Sequence, residues 1–289
     1  MQGNQLNSEY NDNRHRTLQE LVSVNAWFVQ DKERPTRFTL HADVSFNEER
    51  LGGGEETNVI FKLAVKRCDI IFEPPSVDPF RVDPATVRMP QPLNPKSVLE
   101  TSTTVKKAGG RATLRLNPLT PSGEISADVG YEKGNTTTVT SQQDAGMYRE
   151  MWKKVRGNHA WSVSGKDLEN GRLAGPVFDG KNDPRLTLLD GRPESQRARD
   201  FAQNNIPVAV VRVRCLREDI DIYDIQLTKP EKQSLFSKGK GQDEKMLVAR
   251  EVLKEALLRE GLVAGDISTN PYAEMTICDV AIKIIDSST

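Results

Sequence analysis

Three cysteines lie where the alternation of a strand-like run changes parity, and each has an acidic residue close by. Val59, Phe61, Leu63 and Val65 occupy odd positions, whereas Ile70 and Phe72, beyond Cys68, occupy even ones. Val211 and Val213 give way to Ile220 and Ile222 beyond Cys215. Ile277 gives way to Val280, Ile282 and Ile284 beyond Cys278. Three thiolates beside carboxylates would suit a soft metal ion. Structural zinc sites, however, draw their sulfurs from pairs at short spacing and need a fourth ligand. The chain has no such pair and only three histidines. One extra residue in a strand, or a short turn between two strands, produces the same parity change, and residues 216–219 (LRED) fit the turn. Cysteine packs as a small hydrophobe in either place. The expectation is bends in curved sheets, with no metal and no cofactor.

Other residue sets were weighed for chemistry. His41 and Asp43 share one face of an alternating run, so the carboxylate could orient a base, but a solvated polar face has the same pattern. Glu218, Asp219, Asp221 and Asp224 form an acidic cluster. Asp179, Asn182 and Asp183 lie in a turn-rich stretch and are the better calcium candidate, although Asp-Gly and Asn-Asp-Pro are ordinary turn chemistry. The glycine-rich LGGGEET lacks the lysine of a phosphate loop and precedes a strand, which makes it a hairpin loop. No convergent catalytic set emerges, so a non-enzymatic protein is expected.

The elements that would carry these residues are mostly strands. RFTLHADVSF alternates without a break, Phe38 to Phe46 apolar and Thr39 to Ser45 polar, as a half-buried strand must. VIFKLAVKRCDIIF follows it and reads as its hairpin partner. Seven prolines between Pro74 and Pro95 exclude helix and central strand there. LVSVNAWFVQ, WSV, RLTLLD, PVAVVRVR, DIDIYDIQL and EMTICDVAIKIID continue the strand pattern. Residues 243–260 read as a helix, with Met246, Leu253 and Leu257 in a stripe flanked by Ala249 and Ala256, and Gly261 closing it. The spacing of Met147, Met151 and Val155, and of Tyr148 and Trp152, predicts a second helix over 145–156. No βαβ rhythm is present. The fold class expected is mainly β, with antiparallel sandwich-like lobes and one or two helices.

The layout expected is a disordered tail over 1–17, an N-terminal β lobe over 18–100, a connecting hairpin and helix over 101–157, and a C-terminal β lobe over 158–289. The similarity of VKRCDIIFEPP to VRCLREDIDIYDI suggests either duplicated lobes or coincidence. Forty basic and forty-one acidic residues give a formal charge of −1, and aromatics make up 6%. With no aromatics interleaved among the arginines of RPESQRARDF and VRVRC, nucleic acid is not an expected partner. An odd number of widely separated cysteines, the polar start of the chain and the lack of a long apolar run give the expectation of a soluble cytoplasmic protein.

Two segments point to interaction. In the predicted helix, Tyr148, Met151 and Trp152 lie among Lys153, Lys154 and other bases, as on a helix that docks on a protein groove or a membrane surface. In residues 111–141, Ile125, Ala127, Val129 and Tyr131 alternate with Glu124, Ser126, Asp128 and Gly130. This weakly hydrophobic, two-faced pattern suits a hairpin that inserts to line a pore, as well as an ordinary surface hairpin. The first functional expectation is therefore a protein-binding or self-associating assembly protein. A membrane-acting, pore-forming protein inserting 111–141 is the alternative.

Overall fold

Alternating burial runs almost unbroken along the first two long strands. In β1 (Val22–Gln30) Val22, Val24 and Ala26 are buried, in β2 (Arg37–Phe46) every second residue from Phe38 is, and the strands pair antiparallel from Val22↔Phe46 to Gln30↔Phe38. The computed structural model describes residues 12–14, 16–53, 57, 59–76, 79–90, 102–107, 110–115, 148–166, 171–228 and 240–285. It is mostly β and antiparallel. The chain divides into two units, one of residues 1–90 with 147–289 and the other Gln91–Gly146.

The larger unit stacks two five-stranded sheets. One has the order β1-β2-β12-β6, with β11 (Gly175–Phe178) also on β2; β12 is Leu186–Asp190 and β6 is Phe80–Asp83. Proline-flanked β6 takes the end of its sheet, where no ladder bond is demanded on its outer side. The second sheet has the order β15-β13-β5-β10-β9. Its strands are β5 (Arg67–Glu73), β9 (Tyr148–Val155), β10 (Asn158–Gly165), β13 (Val208–Leu216) and β15 (Glu274–Lys283). Phe28 meets Phe72 edge-on at 6.2 Å, and Trp161 meets Phe178 at 6.0 Å, so aromatic pairs close the space between the sheets.

A smaller sheet, β14-β4-β3, carries the long helix α2 (Lys240–Arg259). Its strands are β3 (Glu49–Gly52), β4 (Val59–Val65) and β14 (Ile220–Leu227). Ala249, Leu253 and Leu257 are buried beneath the helix, as their stripe predicts. Gly261, at φ +73°, closes it, and Leu262 donates back to the Leu257 carbonyl at 3.0 Å.

The sheets meet at a corner that both central strands turn together. β4 passes through Lys66 alone into β5, and β13 passes through the 3-10 turn Arg217–Asp219 into β14. The Lys66 amide donates to the Asp219 carbonyl at 2.7 Å across the corner. β4 pairs with β14 on one side, and β5 with β13 on the other. The parity changes near Cys68 and Cys215 are therefore sheet crossings, with LRED as the turn. The change at Cys278 is a bulge, in which Val213 pairs with Cys278 and Arg214 with Thr276, leaving Ile277 over. VKRCDIIFEPP and VRCLREDIDIYDI are thus partners around one corner and not halves of two lobes. The lobes expected at 18–100 and 158–289 likewise share their sheets, because β5 lies between β13 and β10.

Three further expectations change. Residues 145–156 hold no helix in their described part: β9 runs from Tyr148 and turns at Arg156 and Gly157, both at positive φ, into β10. Those two residues form the two-residue turn that matches the twist of a hairpin. β2 and β4 are not hairpin partners, since β3 intervenes and pairs with β4. At Gly52 (φ +92°) a Cβ would lie 2.1 Å from the Val59 carbonyl oxygen, so this hairpin needs its glycine. Finally, Asn13 is buried and brackets β1, donating to Val22 O at 2.6 Å and accepting from Val24 N at 2.8 Å. Arg16 reaches Glu260 and Asp279. Residues 12–14 and 16–17 therefore belong to the fold, while 1–11 lie outside the described residues.

A helix absent from the expectation, α1 (Glu194–Ala202), begins at Pro193 with no side-chain cap and buries only Arg197. It has no apolar stripe to betray it.

The second unit contains one described hairpin, β7 (Ser102–Lys107) against β8 (Gly110–Arg115), in register from Ser102↔Arg115 to Lys107↔Gly110. Of the hairpin expected over 111–141, residues 111–115 lie in β8, whose described partner is Ser102–Lys107. The rest of that expected hairpin, with Val129 and Tyr131, lies outside the described residues.

Candidate functional site

Strand β9 sorts the residues expected to act together onto opposite faces. Tyr148, Glu150 and Trp152 point into the sandwich; Arg149, Met151 and Lys153 point out. The Tyr148 hydroxyl donates to the Val177 carbonyl, and the Trp152 indole N–H donates to His159 Nδ1 at 3.2 Å. Lys154 is exposed, and Met151 is 61% exposed. Glu150 explains why the alternation was hidden. It is an inward carboxylate held at 2.7 Å by Arg185, whose side chain is 2% exposed. Arg185 also bonds Asp183 at 3.0 Å and lies 3.4 Å above the Phe178 ring. Burial pushes the Glu150 carboxyl above its ordinary value, and Arg185 pulls it back.

On the outer face, the register runs Met151, Ser162, Asp69, Arg214 across four strands. These residues, with Arg67, Arg149, Lys153, Ser164 and Glu274, line an open cleft of about 490 Å³ beside the corner. Its charges are largely cross-linked: Lys153 to Asp69 at 2.7 Å, Arg67 to Asp219 at 3.0 Å, and Arg214 to Glu274. Sequence reading missed Arg67, Asp69, Ser162 and Ser164. They alternate with apolar residues, but nothing local shows that strands 90 residues apart bring them together. The serines face outward, whereas His159 lies on the inner face of the same strand with Trp152, so no hydroxyl–imidazole pair forms there. The cleft can exchange ion pairs with a charged surface.

Cys68 and Cys215 border this cleft on neighbouring strands, and Cys278 lies beyond β13 on β15. All three are free and buried. Burial raises each thiol, with Cys215 and nearby carboxylates adding to the effect at Cys68, so none is a thiolate at neutral pH. Among the described residues, no group of three His, Cys, Asp or Glu side chains converges as a metal site.

The remaining candidates serve the scaffold. His41 Nδ1 donates to Gly180 O at 2.5 Å while Asp43 accepts from Gly180 N at 2.7 Å, so the pair clasps one turn. His41 also stacks on Trp27 at 5.6 Å. Asp179 accepts from the Lys181 and Asn182 amides, and Asp183 pairs with Arg88 and Arg185. In the acidic cluster, Glu218 and Asp219 pair with Arg67, Asp221 with Arg172 and Lys66, and Asp224 with Lys62. Each carboxylate there already has a cation.

In the second unit, the β7–β8 register pairs Thr103 with Leu114 and Val105 with Ala112, and, in the alternate positions, Ser102 with Arg115, Thr104 with Thr113 and Lys106 with Arg111. No helix of the described residues is long and apolar enough to cross a membrane.

No protein-family model matches the chain, and no curated protein matches it. Among solved structures, it is similar to the NetB toxin of Clostridium perfringens in its membrane-inserted form, at TM-score 0.28 and 11% identity, over 72% of this chain and 82% of that one. It is also similar to a structure described as a pore forming protein, at TM-score 0.24 and 10% identity, over 72% and 77% of the two chains. These are distant likenesses, too partial to carry function across.

Proposed function

We propose that this is a non-enzymatic, self-associating β protein that acts on membranes, with the unit Gln91–Gly146 as the part that enters the bilayer. The observation that carries the reading is that unit itself: 56 residues inserted between β6 and β9, containing an antiparallel hairpin in which Thr103, Val105, Ala112 and Leu114 share one register parity and mainly basic and hydroxyl residues the other. Strands that line a pore need this division, because one face meets lipid and the other water. Spanning takes about 9–11 residues per strand, so a unit of this length holds enough chain for two crossings. Residues 125–131 continue the same alternation in sequence. Strands from several copies would have to close into a barrel to satisfy their edges, which makes self-association part of the reading. The outer face of β9, which follows the unit directly, offers Arg149, Met151 and Lys153 as a surface for another copy or for lipid headgroups.

The test is dye release from anionic liposomes, with absolute mass from light scattering in parallel. Release by the wild type, its loss in Val129→Asp, and a large lipid-dependent oligomer are expected. No release at any protein concentration would sink the proposal. A fixed small species that ignores lipid would point to a protein-binding role instead.

A further inference from the structure

Two arginines of the second sheet converge on one carboxylate oxygen. Arg156, in the turn after β9, and Arg214, on β13, each direct Nη2 to Oε2 of Glu274, the first residue of β15, the former at 3.3 Å. β9 and β15 are the two edges of that sheet, four interstrand steps apart. At about 4.8 Å per step a flat sheet would hold them about 19 Å apart, farther than the two side chains can bridge. The sheet is therefore curled, and its outer face is the hollow side. The open cleft of about 490 Å³ lies in that hollow, and a second cavity of about 160 Å³ adjoins it. Val155, Arg214 and Glu274 line both, so Glu274 stands at their junction, and Arg156 lines the smaller one.

The pairing at this junction is incomplete in charge and in geometry. Elsewhere on the same face Asp69 has Lys153, Asp219 has Arg67, and Glu73 has Arg212 at 2.5 Å. Here one carboxylate serves two guanidinium groups, and among the described residues neither pairs with another. One positive charge is left in excess. A guanidinium presents its N–H groups as a flat fork that matches two oxygens, yet both forks spend a single nitrogen on the same oxygen. The donors are also accessible. Arg156 is 77% exposed and Glu274 52%, so either can swing into water, whereas Arg214, at 15%, sits lower in the cleft where less water competes for it. A tetrahedral oxyanion supplies the oxygens that the lone carboxylate lacks, and it can take both forks at once.

We propose that Arg156 and Arg214 form a binding site for a phosphate-type group, with Glu274 as the resident anion that the incoming group displaces. The remainder of a phosphorylated ligand then lies in the larger cavity with Ser162 and Ser164, whose volume is that of small-molecule sites. The inference does not rest on the membrane reading, since the site lies on the larger unit and involves no residue of 91–146.

Calorimetric titration of the full chain with inorganic phosphate, in chloride buffer at matched ionic strength, tests it. The wild type should bind phosphate, and Glu274→Gln should bind it about fivefold more tightly, because a like charge a few ångströms from the ligand is gone. Arg156→Asn, which suits the turn it occupies, and Arg214→Gln should each weaken binding about tenfold through the loss of a charge-assisted hydrogen bond. Arg214→Lys, which keeps the charge without the fork, should retain part of the affinity and covers an Arg214→Gln chain that fails to fold. A merely structural ion pair predicts otherwise: Glu274→Gln would lower the urea midpoint equally in both salts and gain no affinity. Flotation with vesicles of phosphatidylcholine alone, or with added phosphatidic acid, separates the possible sources. Retention on phosphatidic acid that Arg156→Asn loses and Glu274→Gln strengthens assigns the group to a lipid headgroup, whereas phosphate binding without retention assigns it to a soluble ligand. A Glu274→Gln chain that binds phosphate no more tightly than the wild type, or an Arg156→Asn chain that binds it as tightly, would overturn the proposal.

Discussion

Glu49 should make the fold more stable in mild acid than in mild base. The residue is 8% exposed, at the start of β3, and its Oε2 accepts from the Leu21 amide at 2.9 Å, just before β1 begins. Burial raises its pKa from 4.5 to about 7; the Leu21 N–H pulls the other way, and Glu20 adds to the rise. A carboxyl whose folded value exceeds its unfolded value binds more protons in the folded state. Its contribution is therefore fully present below pH 4.5 and lost as pH rises through 7. Between pH 8 and pH 5 the difference amounts to about 2.5 kcal/mol, at roughly 1.4 kcal/mol per unit. At about 2–4 °C per kcal/mol for a chain of this size, that is about 5–10 °C in Tm. Glu49→Gln keeps the shape and the acceptor for Leu21 but has no charge to desolvate. Urea unfolding followed by tryptophan fluorescence at pH 5, 6.5 and 8 should show the variant more stable than the wild type by about 3 kcal/mol at pH 8, with the gap falling to about 1 kcal/mol at pH 5. His159 acts in the opposite sense: its pKa is lowered chiefly by burial, so its contribution is present above 6.5 and fades as pH falls. It is common to both proteins and cancels in the difference. A gap that stays constant from pH 5 to 8 would refute the reasoning, and a variant less stable at pH 8 would show that the Leu21 hydrogen bond outweighs the desolvation.

Other expectations follow from the same geometry. Arg185→Met leaves Glu150 and Asp183 without their buried cation and should cost about 3–5 kcal/mol in urea unfolding; a loss below 1 kcal/mol would mean water replaces the guanidinium. Gly180→Ala should cost about 1–3 kcal/mol, because its Cβ would lie 2.7 Å from Trp27 and 2.8 Å from the Ala42 backbone. Arg156→Asn, at φ +51° before Gly157, should stabilise the fold slightly, by about 0.5 kcal/mol, since Asn-Gly is the favoured pair for this turn. With a thiol reagent at neutral pH, the folded protein should react far more slowly than the chain in denaturant, where all three cysteines titrate; fast labelling of the folded state would show that the corner opens.

Strands whose inner face meets only apolar neighbours were legible in the sequence. β2 kept its period because one face of it is buried against the opposite sheet, and α2 kept its stripe because it covers a sheet on one side. β9 was not legible, because its inward row contains Glu150, whose partner Arg185 arrives 35 residues later and makes an ionic residue behave as a core one. With that position discounted, Met147, Met151 and Val155 imitate a helix. The outer cleft was invisible for a related reason: period two tells which residues share a face, but not which strands lie side by side. β5 finds its neighbours in β10 and β13, each supplied from far along the chain.

The parity changes were the one local trace of long-range architecture. A strand that stays in one sheet has no reason to change the parity of its buried residues. A strand that leaves one sheet for another must present the opposite face to a new core, and one residue of slip accomplishes this. Two such slips that bond across each other, Lys66 to Asp219, make a corner, and the corner sets the positions of everything with chemical potential here. It splays the outer face into the cleft beside Arg67 and Arg214 and holds Cys68 and Cys215 in dry protonated form. A slip beside a small buried residue is therefore to be read as a crossing or a bulge before it is read as a site.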